Sequence, residues 1–270
     1  MLKDWWKLFR AEHAVMTAVA VLAAEFVVSK SINLFSCLGP ALITLGAFAW
    51  NDYFDFKTDK ALKRKDRPLV SGAIKKQHAF IAGLLLMLLG AASAFAINQA
   101  AFSIALLFTI LAMAYSISLK KLPLLGNAFI ASAMSISFLY GNYVVSKELN
   151  FFVIVFAISA FLVGLGRELI ITLRDVQGDK LIKAKTLPMI LGDKNTVMLA
   201  SFLIYLGVAA SLVPLIYKAN PAYGALIAIA DALLFYSTFV VNAKRDFKTA
   251  RNYTLYALGI GIVAFAMLGF

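Results

Sequence analysis

Long apolar stretches dominate this chain, and short polar segments separate them. A helix that crosses the hydrocarbon core of a bilayer needs about 20 predominantly apolar residues. By that criterion the sequence predicts nine membrane-spanning helices, at residues 12–29, 33–52, 78–97, 100–117, 127–145, 151–173, 195–217, 222–242 and 252–270. The third and fourth segments form one apolar run that must fold back on itself, and Asn98-Gln99 is the available polar break. We therefore predict an all-α, polytopic membrane protein, with residues 1–270 forming a single domain.

The composition agrees with a membrane location and predicts an orientation. Hydrophobic residues make up 62% of the sequence and charged residues 15%, a balance that a soluble domain of this size cannot bury. All lysines and arginines except Lys30, Lys147, Lys218 and the intramembrane Arg167 fall at the N-terminus or in the loops after segments two, four, six and eight. By the positive-inside rule, the N-terminus and these loops are predicted to be cytoplasmic in a multi-pass protein of the cell membrane.

The basic character of the chain also narrows its partners. The net charge of +12 lies in short loops between apolar runs. This distribution favours the headgroups of the lipid bilayer or an anionic substrate as partners, and it argues against nucleic acid. The oligomeric state is left open by the sequence.

Two of the cytoplasmic loops carry the same acidic pattern. Asp55 and Asp59, after the second segment, align without gaps with Asp175 and Asp179, after the sixth segment. The same alignment pairs Lys60 with Lys180, Lys63 with Lys183, Lys65 with Lys185, Pro68 with Pro188 and Gly72 with Gly192. Because four predicted spans separate the two copies, both face the same compartment. We interpret the pattern as an internal repeat that brings two Asp-x-x-x-Asp pairs to one membrane face.

The first acidic loop has the spacing of a metal site. Asn51, Asp55 and Asp59 are spaced i, i+4, i+8, and Asp52 precedes Asp55 by three, so a helix would place all four on one face. Clustered carboxylates repel one another unless a cation lies among them, and oxygen ligands without His or Cys select a hard ion such as Mg²⁺. The surrounding lysines and arginines predict a third, strongly anionic component such as a diphosphate. The repeat favours Asp55 and Asp59 over Asp52, because position 172 is a threonine. The alternative is that these acids only solvate the loop and pair with its lysines.

Three segments resemble a known family: NDYFDFKTD at 51–59, DRPLVSGAI at 66–74 and RDVQGDKLIKAKTLPMILG at 174–192. They are similar to the paired signatures of the UbiA superfamily of intramembrane prenyltransferases, and the resemblance extends over nearly the whole chain. It implies nine helices around a central cavity that opens laterally to lipid. It also implies two magnesium ions that bridge the acidic motifs to a prenyl diphosphate. The implied metal-binding positions are Asn51, Asp55, Asp59, Asp175 and Asp179, to which the spacing adds Asp52.

The resemblance extends to bases and polar groups near the acidic motifs. Arg67 and Lys120 resemble the diphosphate-contacting bases of the family, and Asn127 matches one of its polar positions. Lys57 and Arg174 flank the acidic motifs and are added to the predicted diphosphate-binding residues.

Several further residues are predicted to line the cavity. Arg167 and Glu168 lie seven residues before Arg174 and Asp175, and ionisable residues within spans usually face a cavity or a partner. Tyr115 and Tyr140 are also assigned to the cavity, where aromatic ring faces can shield a carbocation.

The function predicted from these features is Mg²⁺-dependent transfer of a prenyl group from a prenyl diphosphate to a lipophilic acceptor. We expect the transferred group to be geranylgeranyl. The residue sequences of the motifs most resemble those of the archaeal ether-lipid branch of the superfamily. This resemblance implies geranylgeranylglyceryl phosphate as the acceptor. An aromatic, quinone or tetrapyrrole acceptor is the alternative. A transporter is an alternative of another class, and it would place its ion-binding acids near the bilayer midplane rather than at helix ends.

Overall fold

The computed structural model describes residues 1–181 and 184–270, with the side chains of Gln177 and Leu181 excepted. Lys183, one position of the sequence repeat, lies outside the described residues. The α-helices are α1 (Leu2–Phe9), α2 (Ala11–Ser29), α3 (Leu38–Ala61), α4 (Lys76–Phe95), α5 (Gln99–Ile117), α6 (Leu125–Val145), α7 (Phe151–Leu181), α8 (Leu187–Tyr217), α9 (Pro221–Lys244) and α10 (Phe247–Met267). A 3₁₀ turn lies at Leu119–Lys121, and the described ranges contain no strand. The all-α prediction is confirmed for these ranges.

Seven helices of the described chain are long and apolar enough to cross a bilayer, namely α2 and α4 to α9. Apolar side chains are exposed on the outer surface of the bundle, among them Leu89 of α4, Phe202 of α8 and Phe239 of α9. Exposed apolar surface of this extent is typical of contact with lipid. The chain is therefore a multi-pass membrane protein.

The sequence predicted nine spans, and the difference lies in α3 and α10. The acidic motif that ends α3 lowers its mean hydropathy, and α10 begins with the polar residues Lys248, Arg251 and Asn252. Both helices are long, with 24 and 21 residues. They fall outside the hydropathy criterion because of the polar residues at one end.

The predicted turn between the third and fourth segments is confirmed. α4 ends at Phe95 and α5 begins at Gln99, with Asn98 as the N-cap residue. The Asn98 side chain accepts a hydrogen bond from the Ala101 amide at 2.8 Å and donates one to the Tyr143 carbonyl at 3.0 Å. The cap satisfies an amide that has no partner inside the helix, and it ties the turn to α6.

Glycines allow α3 and α4 to pack closely. A Cβ atom added at Gly46 would lie 2.6 Å from the Gly83 carbonyl oxygen, and one added at Gly90 would lie 2.7 Å from the Gly39 carbonyl oxygen. Contact through small residues is a common way for helices to associate in membranes, where apolar burial alone gives little driving force.

The internal repeat of the sequence has a structural counterpart. α3 ends at Ala61 and α7 ends at Leu181, so the two acidic motifs occupy equivalent positions in the last turns of their helices. Gly72 and Gly192 follow at the same interval, and they are the two glycines of the described chain with positive φ, at 80° and 78°. Only glycine adopts this conformation without steric cost. The two equivalent glycines of the repeat thus share a positive φ as well as their place in the sequence.

Candidate active site

A cavity of about 1500 Å³ runs through the helix bundle, lined by residues of every helix from α2 to α10 except α4. Phe108, Phe129, Met134 and Phe156 line its apolar part. Its polar end is formed by the last turns of α3 and α7, which lie side by side: a Cβ added at Gly178 would be 3.2 Å from Leu62 Cδ1. The central cavity that the family resemblance implied is therefore present, with the acidic motifs at one end.

Asp55 is at the centre of the first motif. Asn51, one turn earlier on α3, donates a hydrogen bond from Nδ2 to Asp55 Oδ2 at 2.9 Å. Lys120 donates to Asp55 Oδ1 from the 3₁₀ turn between α5 and α6. Asn51, Asp55 and Lys120 all line the cavity, so the structure brings together a predicted metal ligand and a predicted diphosphate base.

Asp59 and Arg67 form the outer part of the first motif. Arg67 Nε lies 3.7 Å from Asp59 Oδ2, and Arg64 lies 3.8 Å from the other carboxylate oxygen. The buried Nε atom of Arg67 has no hydrogen-bond partner among the described residues. A buried donor without a partner costs free energy, so the contacts with Asp52 and Asp59 leave Arg67 incompletely satisfied.

Two predicted residues of this motif, Asp52 and Lys57, do not line the cavity. Asp52 is 2% exposed and accepts hydrogen bonds from Arg10 at 2.9 Å and Arg67 at 3.0 Å, so its carboxylate is occupied by two guanidinium groups and does not line the cavity. In the structure the Asp52 carboxylate holds these two arginines. Lys57 is exposed and does not line the cavity, because two residues along a helix turn its side chain about 200° away from that of Asp55.

The two carboxylates of the second motif have different surroundings. Arg174 binds Asp175 in a bidentate manner, from Nε to Oδ1 and from a terminal nitrogen to Oδ2, both at 2.7 Å. The Asp179 carboxylate contacts no basic side chain in the described ranges. Burial, together with the negative charges of Asp175 and Asp55, raises the pKa of Asp179 to about 6. A cation between the two motifs would relieve this repulsion.

The residues at this end of the cavity fit magnesium by their chemistry. Asp55, Asp59, Asp175 and Asp179 all line the cavity, and their oxygen atoms are the ligands that Mg²⁺ prefers. No three acidic, His or Cys side chains within residues 1–181 and 184–270 form a ready-made metal site. Asp55 and Asp175 instead accept hydrogen bonds from basic neighbours, and Asp59 forms longer ion pairs with Arg64 and Arg67. Magnesium retains waters and shares its shell with substrate phosphates, so it does not require three protein ligands at one point.

The remaining predicted residues line the cavity further from the motifs. Asn127 donates to Thr172 Oγ1 at 2.7 Å and so joins α6 to α7, and Arg167 donates to Glu168 at 2.8 Å. Tyr115 stacks on Phe129 with ring centroids 5.1 Å apart. The structure places Tyr115, Asn127, Tyr140, Arg167 and Glu168 on the cavity wall.

Sequence reasoning missed several basic residues of this cavity, among them Arg10 and Arg251. Arg10 is the residue between α1 and α2, where a left-handed backbone conformation (φ 45°) directs the chain from one helix into the next. Arg251 lies in the second turn of α10. The sequence contains only a weak indication of their place in the cavity. Each is an arginine at the start of an apolar segment, and the positive-inside rule assigns such a residue to the lipid headgroup region.

The fold and the site define a polytopic α-helical membrane protein with an acidic and basic site at one end of a large apolar cavity. The model of the UbiA prenyltransferase family matches residues 14–265, and the chain belongs to this family. It is 31% identical to the digeranylgeranylglyceryl phosphate synthase of Archaeoglobus fulgidus over 98% of this chain and 94% of the relative. It is 35% identical to the enzyme of the same name from Thermococcus gammatolerans over 81% of this chain and 78% of the relative.

Solved structures share the fold over nearly the full length. A structure that concerns digeranylgeranylglyceryl phosphate synthase in membranes superposes with a TM-score of 0.74 and 26% identity, covering 99% of this chain and 98% of that one. A UbiA homologue from Archaeoglobus fulgidus, bound to DMAPP and Mg²⁺, gives a TM-score of 0.71 at 17% identity and covers 97% of this chain and 99% of that one. At that identity the second likeness concerns the fold alone.

Proposed function

We propose that this chain transfers a geranylgeranyl group from geranylgeranyl diphosphate to the free hydroxyl of geranylgeranylglyceryl phosphate, with magnesium as cofactor. The observation that carries the proposal is the meeting of two acidic motifs, from α3 and α7, with Lys120 and Arg67 at the polar end of the cavity. Membership of a prenyltransferase family makes the chain a transferase of prenyl groups. The relatives named digeranylgeranylglyceryl phosphate synthase support the choice of acceptor.

The polar end of the cavity has the groups that a departing diphosphate needs. Magnesium would be held by Asp55, Asp59, Asp175 and Asp179 with Asn51, and when bound it supplies positive charge to the diphosphate oxygens. Lys120, Arg67 and Arg174 would donate hydrogen bonds to the same oxygens. Donors fixed in advance toward developing negative charge lower the barrier because they need not reorganise during the reaction.

The apolar part of the cavity suits the other half of the reaction. As the bond between the allylic carbon and the diphosphate oxygen breaks, its electron pair leaves with the diphosphate and positive charge develops on the carbon. The acceptor hydroxyl oxygen then forms the new ether bond and releases its proton. Phe108, Phe129 and Tyr115 line the cavity here. They keep water from the carbocation, and their ring faces stabilise positive charge.

The proposed topology has nine crossings, α2 to α10, in one domain over residues 1–270, with the N-terminus and the ends of α3 and α7 in the cytoplasm. α3 and α10 span about 36 and 32 Å at 1.5 Å per residue, enough for a hydrocarbon core of about 30 Å. The acidic motifs then lie at the cytoplasmic rim. A transporter would place its ion-binding acids near the midplane, so this placement favours the enzyme.

A transfer assay with purified protein tests the proposal. Radiolabelled geranylgeranyl diphosphate is offered with geranylgeranylglyceryl phosphate, an aromatic quinone precursor or a tetrapyrrole alcohol acceptor, each with and without Mg²⁺. We expect Mg²⁺-dependent product with the glycerol phosphate acceptor. Product with another acceptor alone would contradict the acceptor assignment, and turnover that survives complete removal of divalent ions would contradict the metal assignment.

A further inference from the structure

A second group of basic side chains lines the cavity away from the first acidic motif. Arg167 of α7 and Arg251 of α10 both lie on the cavity wall. The Arg167 side chain is only 5% exposed, which is unusual for a charged group and calls for a partner.

The hydrogen bonds of Arg167 leave part of its guanidinium group unused. One terminal nitrogen donates to Glu168 Oε1 at 2.8 Å, whereas Nε is buried and has no hydrogen-bond partner in the described chain. A guanidinium group can bind a carboxylate or phosphate through two parallel hydrogen bonds. Glu168 therefore leaves Arg167 incompletely satisfied, and the second terminal nitrogen of Arg167 makes no hydrogen bond within the described residues.

Arg251 adds a positive charge that has no ion pair or side-chain hydrogen bond within residues 1–181 and 184–270. The charged groups that act on it include Arg167, Arg174, Asp175 and Glu168. Glu168 is already bonded to Arg167, and Asp175 to Arg174. Both of these carboxylates therefore already have an arginine partner other than Arg251.

We propose that Arg167 and Arg251 form a second anion site, next to the second acidic motif, that binds the phosphate monoester of the acceptor. The assignment rests on the proposed function, because only an acceptor that carries a phosphate needs such a site. A phosphate monoester has up to two negative charges and three acceptor oxygens, which match one unpaired guanidinium and one partly open guanidinium.

The position of the second site agrees with the geometry of the reaction. Arg167 precedes Asp175 by eight residues, about 12 Å along α7 toward the interior of the membrane. The departing diphosphate covers one face of the allylic carbon, so the acceptor hydroxyl approaches the other face, and in the glycerol unit the phosphate is on the neighbouring carbon. The acceptor phosphate therefore lies beyond the reacting carbon, deeper than the diphosphate.

The size of the cavity also allows two substrates at once. Pockets for a single drug-sized ligand measure about 300–1,000 Å³, whereas this cavity measures about 1500 Å³. Two anionic groups in one cavity repel each other, so each needs its own cations. The acidic motifs with Lys120 and Arg67 would serve the diphosphate, and Arg167 with Arg251 would serve the acceptor.

The test compares two acceptors that differ only in the phosphate: geranylgeranylglyceryl phosphate and geranylgeranylglycerol. Donor and Mg²⁺ are saturating, and kcat/KM is measured for each acceptor on the same preparation. We expect the wild-type protein to prefer the phosphorylated acceptor. In Arg251→Gln this preference should fall about 10- to 100-fold through a higher KM for the phosphorylated acceptor, the effect of losing one charge-assisted hydrogen bond. Turnover of the neutral acceptor and the KM of the donor should not change.

Two further variants separate an acceptor site from a structural role. Arg251→Lys should restore part of the preference because it keeps the charge. Lys248→Gln removes a charge three residues earlier on α10, from an exposed side chain outside the cavity, and should leave the preference at the wild-type value.

The possible outcomes distinguish failure of the second anion site from failure of the proposed function. An unchanged preference in Arg251→Gln, or an equal loss of rate with both acceptors, would overturn the second anion site while the proposed function stands. A wild-type protein that turns over both acceptors equally would overturn it too. Failure of the wild-type protein to prenylate geranylgeranylglyceryl phosphate at all would refute the proposed function itself.

Discussion

The buried cluster of Asp52, Arg10 and Arg67 allows one prediction to be worked out from the structure. Asp52→Asn keeps the shape of the side chain and removes its charge. The Asp52 carboxylate is 2% exposed, and the side chains of Arg10 and Arg67 are 25% and 20% exposed. Removing one member of a fully buried ion pair costs about 3–5 kcal/mol. Because both arginines keep some contact with water, we expect a smaller loss, about 2 kcal/mol, or roughly a 30-fold change in the unfolding equilibrium.

The measurement compares Asp52→Asn with Asp55→Asn. Asp55 lies three residues further along α3 and, unlike Asp52, lines the cavity. Unfolding in detergent should show the stability loss for Asp52→Asn and a smaller change for Asp55→Asn, whose carboxylate is 26% exposed. The Mg²⁺ concentration for half-maximal transfer should rise for Asp55→Asn and stay near the wild-type value for Asp52→Asn. If Asp52→Asn raises it as much as Asp55→Asn does, Asp52 is a metal ligand and its assignment to the arginines is wrong.

Three other substitutions test the site and the packing. Asp179→Ala should lower the rate of prenyl transfer by roughly 1,000-fold or more, because several kcal/mol of charge stabilisation are lost. The variant should still insert into the membrane and purify normally. Near-normal turnover would contradict the role of Asp179 as a metal ligand. Gly46→Ala should lower the free energy of unfolding by about 1–3 kcal/mol, because the new Cβ would lie 2.6 Å from a backbone carbonyl oxygen. In the control Gly259→Ala the new Cβ meets nothing within 4 Å, so the free energy of unfolding should not change. Equal effects of the two substitutions would refute the packing argument. Asn98→Ala should lower stability by about 1 kcal/mol or more through the lost cap, measured as a shift in thermal midpoint, and an unchanged midpoint would contradict it.

Much of the fold could be predicted because it depends on local pattern. Apolar runs of helical length, the turn at Asn98-Gln99 and the repeat of the acidic motifs are all visible along the chain. The number of membrane spans is ambiguous at α3 and α10, because the mean hydropathy of these two helices is low. The reason is physical: the acidic motif of α3 and Arg251 of α10 lie on helices that are otherwise apolar, and the polar groups lower the average of the window that contains them.

The partners of the site residues could not be predicted to the same degree. Asp52 and Asp55 both fit the same helical face in the sequence, and only the approach of Arg10 and Arg67 from other segments gives them different environments. Arg251 becomes notable only when α10 packs against α7 and brings it near Arg167. Ion pairs between distant segments and unused donors are properties of tertiary packing, which spacing along the chain does not contain.

The matching ends of α3 and α7 have a consequence for the synthesis of the protein. The first half of the chain contributes Asp55 and Asp59, and the second contributes Asp175 and Asp179, so neither half has the complete set of carboxylates. If these carboxylates act as proposed, a nascent chain that has inserted only its first helices lacks the means to ionise an allylic diphosphate. Under the proposed mechanism, carbocation chemistry starts only after α7 has joined α3, when the apolar walls that protect the intermediate are also being assembled.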